Sequence, residues 1–495
     1  MKKKYKRLPS SVLIITILIL VLSGCFSGFQ SVMEEKMTTN LEDKVYSQKE
    51  IEQDLDFFVE TMYEVCPFPY LNTDSVYIAN LVDKIKKEGA KNGRELYLNF
   101  MELSASFKTG HIFTIPPTQM LEEYFEKGGK VFPLSLTKQK GKWIIENVMD
   151  TAFVALKDKF IHEINGVEVN SLIASFEPKM YSETGKIDDM IGSEIAFLMW
   201  LKGVQAPFNI SFSDSFSSKK QQISLVGANL LEHVKKQKQE EQLSDYITFE
   251  MLPENIGYLN LKSFVIFDRG LMKSYNNFIE NAFTNLKNNK VDQLIIDLRD
   301  NSGGRGQLAE EVLSYIANKP YQQSSGEIRR VSHLFKDYLN EIPWVLRKIT
   351  LKQAGLKGYF DMENGSNLEN FSESPESLRN IENRFEGRVW CLIGSGTYSA
   401  AMMMANAIED YELGTLVGEP TGGIPNELSD VLPVKTPNSK IAFMTPSALF
   451  IRANGDASNT NPVMPDILVE SNKENSINER DLVLDRLLKL IVQNN

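Results

Sequence analysis

The chain has 495 residues, more than the ~250–300 at which a single hydrophobic core stops growing, so about three domains of ~150 residues are expected. Hydrophobic residues make up 42% of the sequence and charged residues 24%, which excludes a mainly disordered chain and a polytopic membrane protein. The net charge of −11 disfavours a nucleic-acid-binding surface, and three cysteines are too few for a disulfide framework or a four-cysteine zinc site.

The first 24 residues predict a secretory signal, because five basic residues are followed by an almost wholly apolar run too short to cross a membrane comfortably. The run ends in Leu22-Ser23-Gly24-Cys25, which resembles the lipobox of bacterial lipoproteins. That resemblance implies a diacylglyceryl group on Cys25 and a protein anchored by lipid to the extracytoplasmic face of the cell membrane. The alternative is an uncleaved N-terminal anchor with an incidental cysteine.

Residues 25–45 are polar and predict a flexible tether. Residues 46–115 predict a small helical domain, since apolar residues recur there at three- and four-residue steps, as at Ile51, Leu55, Phe58 and Met62. In residues 130–226 short apolar runs alternate with polar turns, which predicts a β-rich module. Its segment 160–169, with an Asn-Gly turn, resembles a strand and turn of PDZ domains, and a generic β-hairpin is the alternative.

Residues 250–492 predict an α/β domain, because apolar strands alternate with helical stretches. A polar and partly aromatic insertion, residues 320–385, interrupts this alternation. Cys66 and Cys391 both lie in apolar surroundings, so two buried free thiols are expected rather than a disulfide.

The sequence offers no metal site and no cofactor site. Its four histidines are scattered, and neither a phosphate-binding loop nor a strand-linked G-x-G-x-x-G is present.

Two junctions between a strand and a turn carry the candidate chemistry. The first ends a buried strand in Asn301-Ser302-Gly303-Gly304, where two glycines can turn sharply and expose backbone N–H groups to an anion. In the second, Ser399 follows a strand and a tight turn and precedes a helix. A serine at that position either caps the helix or acts as a nucleophile near its positive end, and from position alone capping is favoured.

Taken together, the two junctions and two later motifs resemble the serine peptidase family of the carboxy-terminal processing proteases, the tricorn protease core and the interphotoreceptor retinoid-binding protein. The matching motifs are Ile295 to Gly304, Thr397-Tyr398-Ser399-Ala400, Gly418-Glu419-Pro420-Thr421-Gly422-Gly423 and Val463-Met464-Pro465-Asp466-Ile467, in that order. The resemblance implies a crotonase/ClpP-like α/β peptidase core with an N-terminal helical domain and a PDZ-like β-rich insert.

The resemblance also implies the site. Ser399 is the nucleophile, and backbone N–H groups of Gly303, Gly304 and Ala400 form the oxyanion hole. Carboxy-terminal processing proteases use a lysine base, but Ile424 occupies its place here, which excludes a Ser–Lys dyad. The tricorn-like branch uses a histidine that closes the helical region, and His111 stands in that place as general base, with a loop or core histidine as the alternative.

The acid that orients His111 is the least determined part of the predicted site. Asn459 stands nearest the position of the tricorn glutamate, so Asp456 is the predicted substitute. The further candidates are Glu427, Asp430 and Asn459 itself. Asp466 is expected to be structural, accepting hydrogen bonds from backbone donors.

These patterns predict a membrane-anchored serine-type endopeptidase. It would hydrolyse peptides or unfolded protein C-terminal tails, because PDZ-like modules bind extended C-termini by strand addition. The alternative is a catalytically inactive lipoprotein that keeps the peptidase fold and binds peptides or small hydrophobic ligands.

Overall fold

The computed structural model describes residues 35–494, apart from 184, 230–241, 267, 343, 345–346, 348–350, 352–355, 357, 373, 376 and 471–480. The predicted signal, Cys25 and the first part of the predicted tether lie outside the described residues. No helix within the described ranges is long and apolar enough to cross a membrane.

The chain divides into two compact units, and neither is contiguous in sequence. Unit one consists of Met1–Gln239, Ser332–Trp344 and Asp430–Ser447. Unit two consists of Glu240–Val331, Val345–Ser429 and Ala448–Asn495.

Unit one begins with the helices that the apolar periodicity predicts. They are α1 (Gln48–Val65), α2 (Ser75–Glu88) and α3 (Gly93–Ser106), followed by the short strand β1 (Phe113–Thr114) and helix α4 (Thr118–Glu126). Each of the first three helices starts at a side-chain cap; at α1, Ser47 and Glu50 form a capping box.

The segment 130–226 contains the expected strands and also two helices. Its elements are β2 (Leu134–Gln139), β3 (Lys142–Val148), β4 (Phe160–Ile164), β5 (Val167–Glu168), α5 (Val169–Ala174), α6 (Ile187–Leu201), β6 (Phe208–Ser213) and β7 (Gln221–Leu225). The strands form an antiparallel sheet in the order β2-β3-β4-β6-β7, with β5 paired to β4. The likeness of this module to a PDZ domain stays a prediction.

One hydrophobic core joins the helices and the sheet of unit one. Helix α6 lies so close to β2 that a Cβ on Gly192 would stand 2.3 Å from the Leu136 carbonyl oxygen. On its other side, Phe197 of α6 meets Tyr97 of α3 edge to face. The helical segment and the β-rich segment therefore fold as one body.

Unit two is built on a six-stranded sheet with helices on both faces. Its elements up to residue 371 are β8 (Ile247–Leu252), β9 (Ile256–Leu261), α7 (Arg269–Asn288), β10 (Gln293–Asp297), α8 (Gly306–Ile316), β11 (Gly326–Arg330) and, after α9 (His333–Asn340) of unit one, β12 (Asn367–Phe371). The remaining elements of unit two are β13 (Arg388–Ile393), α10 (Ala400–Asp410), β14 (Thr415–Gly418), β17 (Ile467–Leu468) and α11 (Leu482–Asn494). Strands β15 (Leu428–Lys435) and β16 (Ala442–Ile451) have most of their residues in unit one and the rest in unit two.

The sheet order is β17-β14-β13-β10-β9-β8, and only β8 runs antiparallel. Successive side chains of β10 point to opposite faces: Leu294 and Ile296 pack under α7, α8 and α10, whereas Ile295 packs against α11. This is the α/β core that the sequence predicts. Cys66 and Cys391 are buried free thiols, as expected.

The register of the parallel strands brings the predicted motifs to one edge. Asp297 at the end of β10 lies opposite Leu392 of β13, and Ile393 lies opposite Gly418 of β14. Ligand sites of open α/β sheets form outside the carboxyl ends of the strands.

Candidate active site

The turn after β13 is fixed by the buried hydroxyl of Thr397. This hydroxyl donates to the Leu298 carbonyl oxygen (2.9 Å) and accepts from Gly394 N–H (3.0 Å). The turn is thereby hydrogen-bonded to the segment after β10, and it places Ser399 at the N-cap position of α10.

Ser399 has an unusual backbone conformation. Its φ of 51° and ψ of −125° are costly for a residue with a side chain, by about 1–3 kcal/mol. Its side chain makes no capping hydrogen bond to the helix, so the capping role that position alone favours is absent. A serine held in a strained turn between strand and helix, with its hydroxyl unused by a cap, is the arrangement of a nucleophile elbow.

The glycine turn after β10 is organised by Asn301, a fully buried residue that the sequence did not single out. Its Nδ2 donates to the Leu261 carbonyl oxygen (2.9 Å), and its Oδ1 accepts from Gly303 N–H (2.9 Å). Its backbone oxygen accepts from Tyr398 N–H (3.1 Å), one residue before the serine.

The two turns touch at Gly303. A Cβ on this residue would stand 2.7 Å from the Ser399 Cβ and 2.9 Å from the Ala400 nitrogen. The φ values of Gly303 (+95°) and Gly304 (+130°) are ones that residues with side chains rarely adopt. The predicted glycine turn is thus pressed directly against the predicted nucleophile.

The three predicted oxyanion donors differ in availability. Gly303 N–H already donates to Asn301, whereas no hydrogen bond within the described residues uses the N–H of Gly304 or of Ala400. Ala400 N–H is the first amide of α10, which has no acceptor inside its own helix. These two amides, beside Ser399, are the free donors that could bind an anion.

The loop of residues 419–423 follows β14 at the same carboxyl edge of the sheet. Gly422 N–H donates to the Thr397 carbonyl oxygen (2.8 Å). Thr421 and Val463 exchange two hydrogen bonds, which links this loop to the last predicted motif. Asp466 accepts from Leu416 N–H (2.7 Å), so its expected structural role is confirmed.

An ion-pair network lies next to the nucleophile turn. Arg299 bonds Asp297 on β10 and Asp481 at the start of α11, with three contacts of 2.6–2.8 Å from its terminal nitrogens. The backbone oxygen of Arg299 would stand 2.3 Å from a Cβ on Gly396, so only glycine fits there.

His111 lies in unit one, on the loop between α3 and β1. This loop is held by two side chains: Glu183 accepts from Gly110 N–H (2.9 Å), and Asn72 donates to the Lys108 carbonyl oxygen (3.0 Å). Burial lowers the pKa of His111 to about 4, so the imidazole is neutral at pH 7.

Asp456 lies in unit two in an exposed turn. Its Oδ1 accepts from the backbone N–H (3.0 Å) and the hydroxyl (2.6 Å) of Ser458, and these bonds lower the pKa of Asp456. Of the other candidates, Glu427 is buried, and Asn459 accepts from Asn461 N–H (2.9 Å). The structure brings Ser399, Gly303, Gly304 and Ala400 together; the pairing of His111 with an acid stays a prediction.

Comparisons with known proteins agree with the motifs. Residues 255–469 match the family model described as peptidase family S41. Mature CPAF complexed with lactacystin has a similar structure, with a TM-score of 0.60 and 14% sequence identity over 90% of this chain and 98% of that one. A second structure of mature CPAF gives a TM-score of 0.57 and 15% identity over 85% and 92% of the two chains. No curated protein matches the sequence.

The structural likeness shows the shared fold, and the family model shows which peptidase family residues 255–469 resemble. Five of the six strands of the α/β sheet, the serine turn and the glycine turn lie inside the matched segment, and only β8 precedes it. Through residues 255–469 the chain is similar to peptidase family S41, a likeness that supports a serine peptidase.

Proposed function

We propose that the protein is a serine endopeptidase in which Ser399 is the nucleophile and His111 the general base. It hydrolyses peptides or protein C-terminal tails from the extracytoplasmic face of the membrane, held there by lipid on Cys25. The observation that carries the proposal is the Ser399 turn, with its strained backbone, its uncapped side chain and the free amides of Gly304 and Ala400 beside it.

In the proposed mechanism the Ser399 hydroxyl attacks the substrate carbonyl carbon and passes its proton to His111. The negative charge that develops on the carbonyl oxygen is stabilised by the N–H groups of Gly304 and Ala400, and losing one such donor costs ~10²–10³ in rate. His111 then protonates the leaving amine. Water, activated by the same imidazole, releases the acyl group from Ser399.

The protonation state of His111 supports this role. A general base must be neutral to accept the serine proton, and the lowered pKa keeps the imidazole neutral across the physiological range. Asp456 remains the predicted acid, and a comparison of Asp456→Asn with Glu427→Gln would identify the orienting carboxylate.

The decisive test uses an internally quenched peptide with blocked termini, which only an endopeptidase can cleave. Ser399→Ala should abolish cleavage and labelling by a fluorophosphonate, and should leave the circular dichroism spectrum unchanged. Lactacystin is a second probe, since mature CPAF has been solved in complex with it. Cleavage by the alanine variant at the wild-type rate would refute the proposal.

The alternative is an inactive peptidase-fold lipoprotein that binds peptides or small hydrophobic ligands. It is favoured by the engagement of Asp456 with Ser458 and by Ile424 at the lysine position. Peptide binding with no fluorophosphonate labelling of the wild-type protein would support the alternative.

The anchor is tested separately, by fractionating cells that express the full chain. Wild-type protein should sediment with membranes and incorporate a labelled fatty acid, and Cys25→Ala should do neither. If the alanine variant remains in the membrane fraction, the N-terminal segment is an uncleaved anchor.

A further inference from the structure

Helix α1 carries a buried carboxylate that no part of the proposed mechanism uses. Asp54 is fully buried, on the same helix face as the apolar residues Ile51 and Phe58. A buried charge is costly unless it is fully hydrogen-bonded. Both carboxylate oxygens of Asp54 are hydrogen-bonded. Oδ1 accepts from Asn438 N–H (2.8 Å) and Nδ2 (3.0 Å), and Oδ2 accepts from Ser439 N–H (2.7 Å).

Those donors lie at the tip of the β15–β16 hairpin, in the part of it that belongs to unit one. The hairpin tip is also closed from within, since Thr436 N–H donates to the Ile441 carbonyl oxygen and Ile441 N–H donates to the Thr436 hydroxyl (both 3.0 Å). Asp54 therefore binds a preformed turn and fixes it on helix α1.

The same hairpin sets the position of β1, the strand that starts two residues after His111. β1 has only two residues, which pair with the hairpin as Phe113 with Met444 and Thr114 with Phe443. The next residue continues the contact, because Ile115 N–H donates to the Ala442 carbonyl oxygen (2.8 Å). So short a strand has no stable position without its partner.

One turn of helix further along α1, Phe58 contacts the start of the His111 loop and the strand that pairs with its end. Its ring lies 4.5 Å, centroid to centroid, from Phe443, which pairs with Thr114 on the far side of the loop. It lies 6.1 Å from Phe107, which ends α3 on the near side. Asp54 and Phe58, four residues apart on one face, thus hold the hairpin against the loop that carries His111.

We propose that Asp54 is a positioning residue for His111. By binding the tip of the hairpin, its carboxylate fixes the strand on which β1 is registered, and so fixes the backbone from which the imidazole projects. Asp54 does not contact the substrate. The inference rests on the proposed role of His111 as base, and its test separates the two.

The test compares Asp54→Asn with Asp56→Asn in the full chain, using the quenched-peptide assay. Asp56 is the matched control, because it lies on the same helix but is exposed and paired with Lys86 (2.5 Å). Asparagine keeps the shape of Asp54 but turns an amide toward the N–H donors. For Asp54→Asn we expect kcat to fall by about tenfold or more, since small misplacement of a reacting group costs up to ~10²-fold in rate. Its KM should change by less than about twofold.

A milder variant covers the case in which Asp54→Asn does not fold. Asn438→Ala removes one donor to Asp54 and leaves the two backbone N–H groups in place, so an intermediate loss of kcat is expected. Circular dichroism melting of each variant gives the folded fraction, to which kcat is normalised.

Combination with His111→Gln separates positioning from a general loss of structure. If Asp54 acts through His111, Asp54→Asn should cause no further loss in the His111→Gln background. An additive loss of the residual kcat there, or an unchanged kcat in Asp54→Asn alone while His111→Gln has lost most of its activity, would overturn the positioning role and leave the mechanism intact. Full activity of His111→Gln would overturn the base assignment itself.

Discussion

Thr397→Val offers the sharpest test of how the serine turn is held. Valine keeps the shape of threonine but removes a buried hydroxyl that accepts from Gly394 N–H (3.0 Å) and donates to the Leu298 carbonyl oxygen (2.9 Å). Each buried backbone group left without a partner costs about 1–3 kcal/mol, so the free energy of unfolding of unit two should fall by about 2–6 kcal/mol.

Thr397→Ser is the matched control, because it keeps both hydrogen bonds and loses one methyl group, worth ~0.8 kcal/mol. The assay is urea unfolding followed by intrinsic fluorescence, to which Trp390, buried on the strand before the turn, contributes. The valine variant should unfold at clearly lower urea than the serine variant. Equal midpoints for the two variants would show that the hydroxyl does not hold the turn.

Three further predictions concern the glycine turn and two titratable groups, His111 and Glu194. Gly304→Ala should abolish hydrolysis, because its φ is +130° and the new Cβ would stand 2.2 Å from the Phe264 carbonyl carbon; Gly306→Ala, which meets nothing within 4 Å, is the control and should keep wild-type activity within about twofold. The acid limb of the kcat/KM profile should lie near pH 4 rather than near 6.5, because burial lowers the pKa of His111 to about 4 and the neutral base persists below pH 6; a limb at pH 6.5 would contradict the lowered pKa of His111. Burial raises the pKa of Glu194 to about 8, so the stability contributed by its neutral form is full below pH 4.5 and is lost as the pH rises through 8. The unfolding free energy of Glu194→Gln should therefore exceed that of wild type by at least about 1 kcal/mol at pH 8 but not at pH 4. Melting curves at the two pH values test this.

The sequence predicted the features that depend on local pattern. Apolar spacing predicted α1, α2 and α3, and the glycines after β10 and β13 predicted two sharp turns. The parallel sheet then follows from the alternation of strands and helices.

Features that depend on distant partners escaped the sequence reasoning. The motif predicted Gly303 N–H as an oxyanion donor, but this N–H donates to Asn301 Oδ1 instead. That hydrogen bond exists only in the folded turn, so the sequence could not predict it. Helix α6 was missed because residues 191–201 are all buried, so no polar face marks the helical period. The partner of Asp54 lies 385 residues away, at a hairpin tip with no distinctive composition.

That separation has a consequence for how the protein forms. Synthesis at ~5–20 residues per second leaves roughly 20–80 s between the emergence of Asp54 and that of the hairpin tip that binds it. Hydrophobic collapse takes well under a millisecond, so the helices of unit one can pack before the hairpin tip that binds Asp54 has been synthesised. The strand after His111 gains its partner only when nine-tenths of the chain has been made. The backbone beside His111, the residue proposed to accept the serine proton, is thus among the last parts of unit one to gain its partner strand.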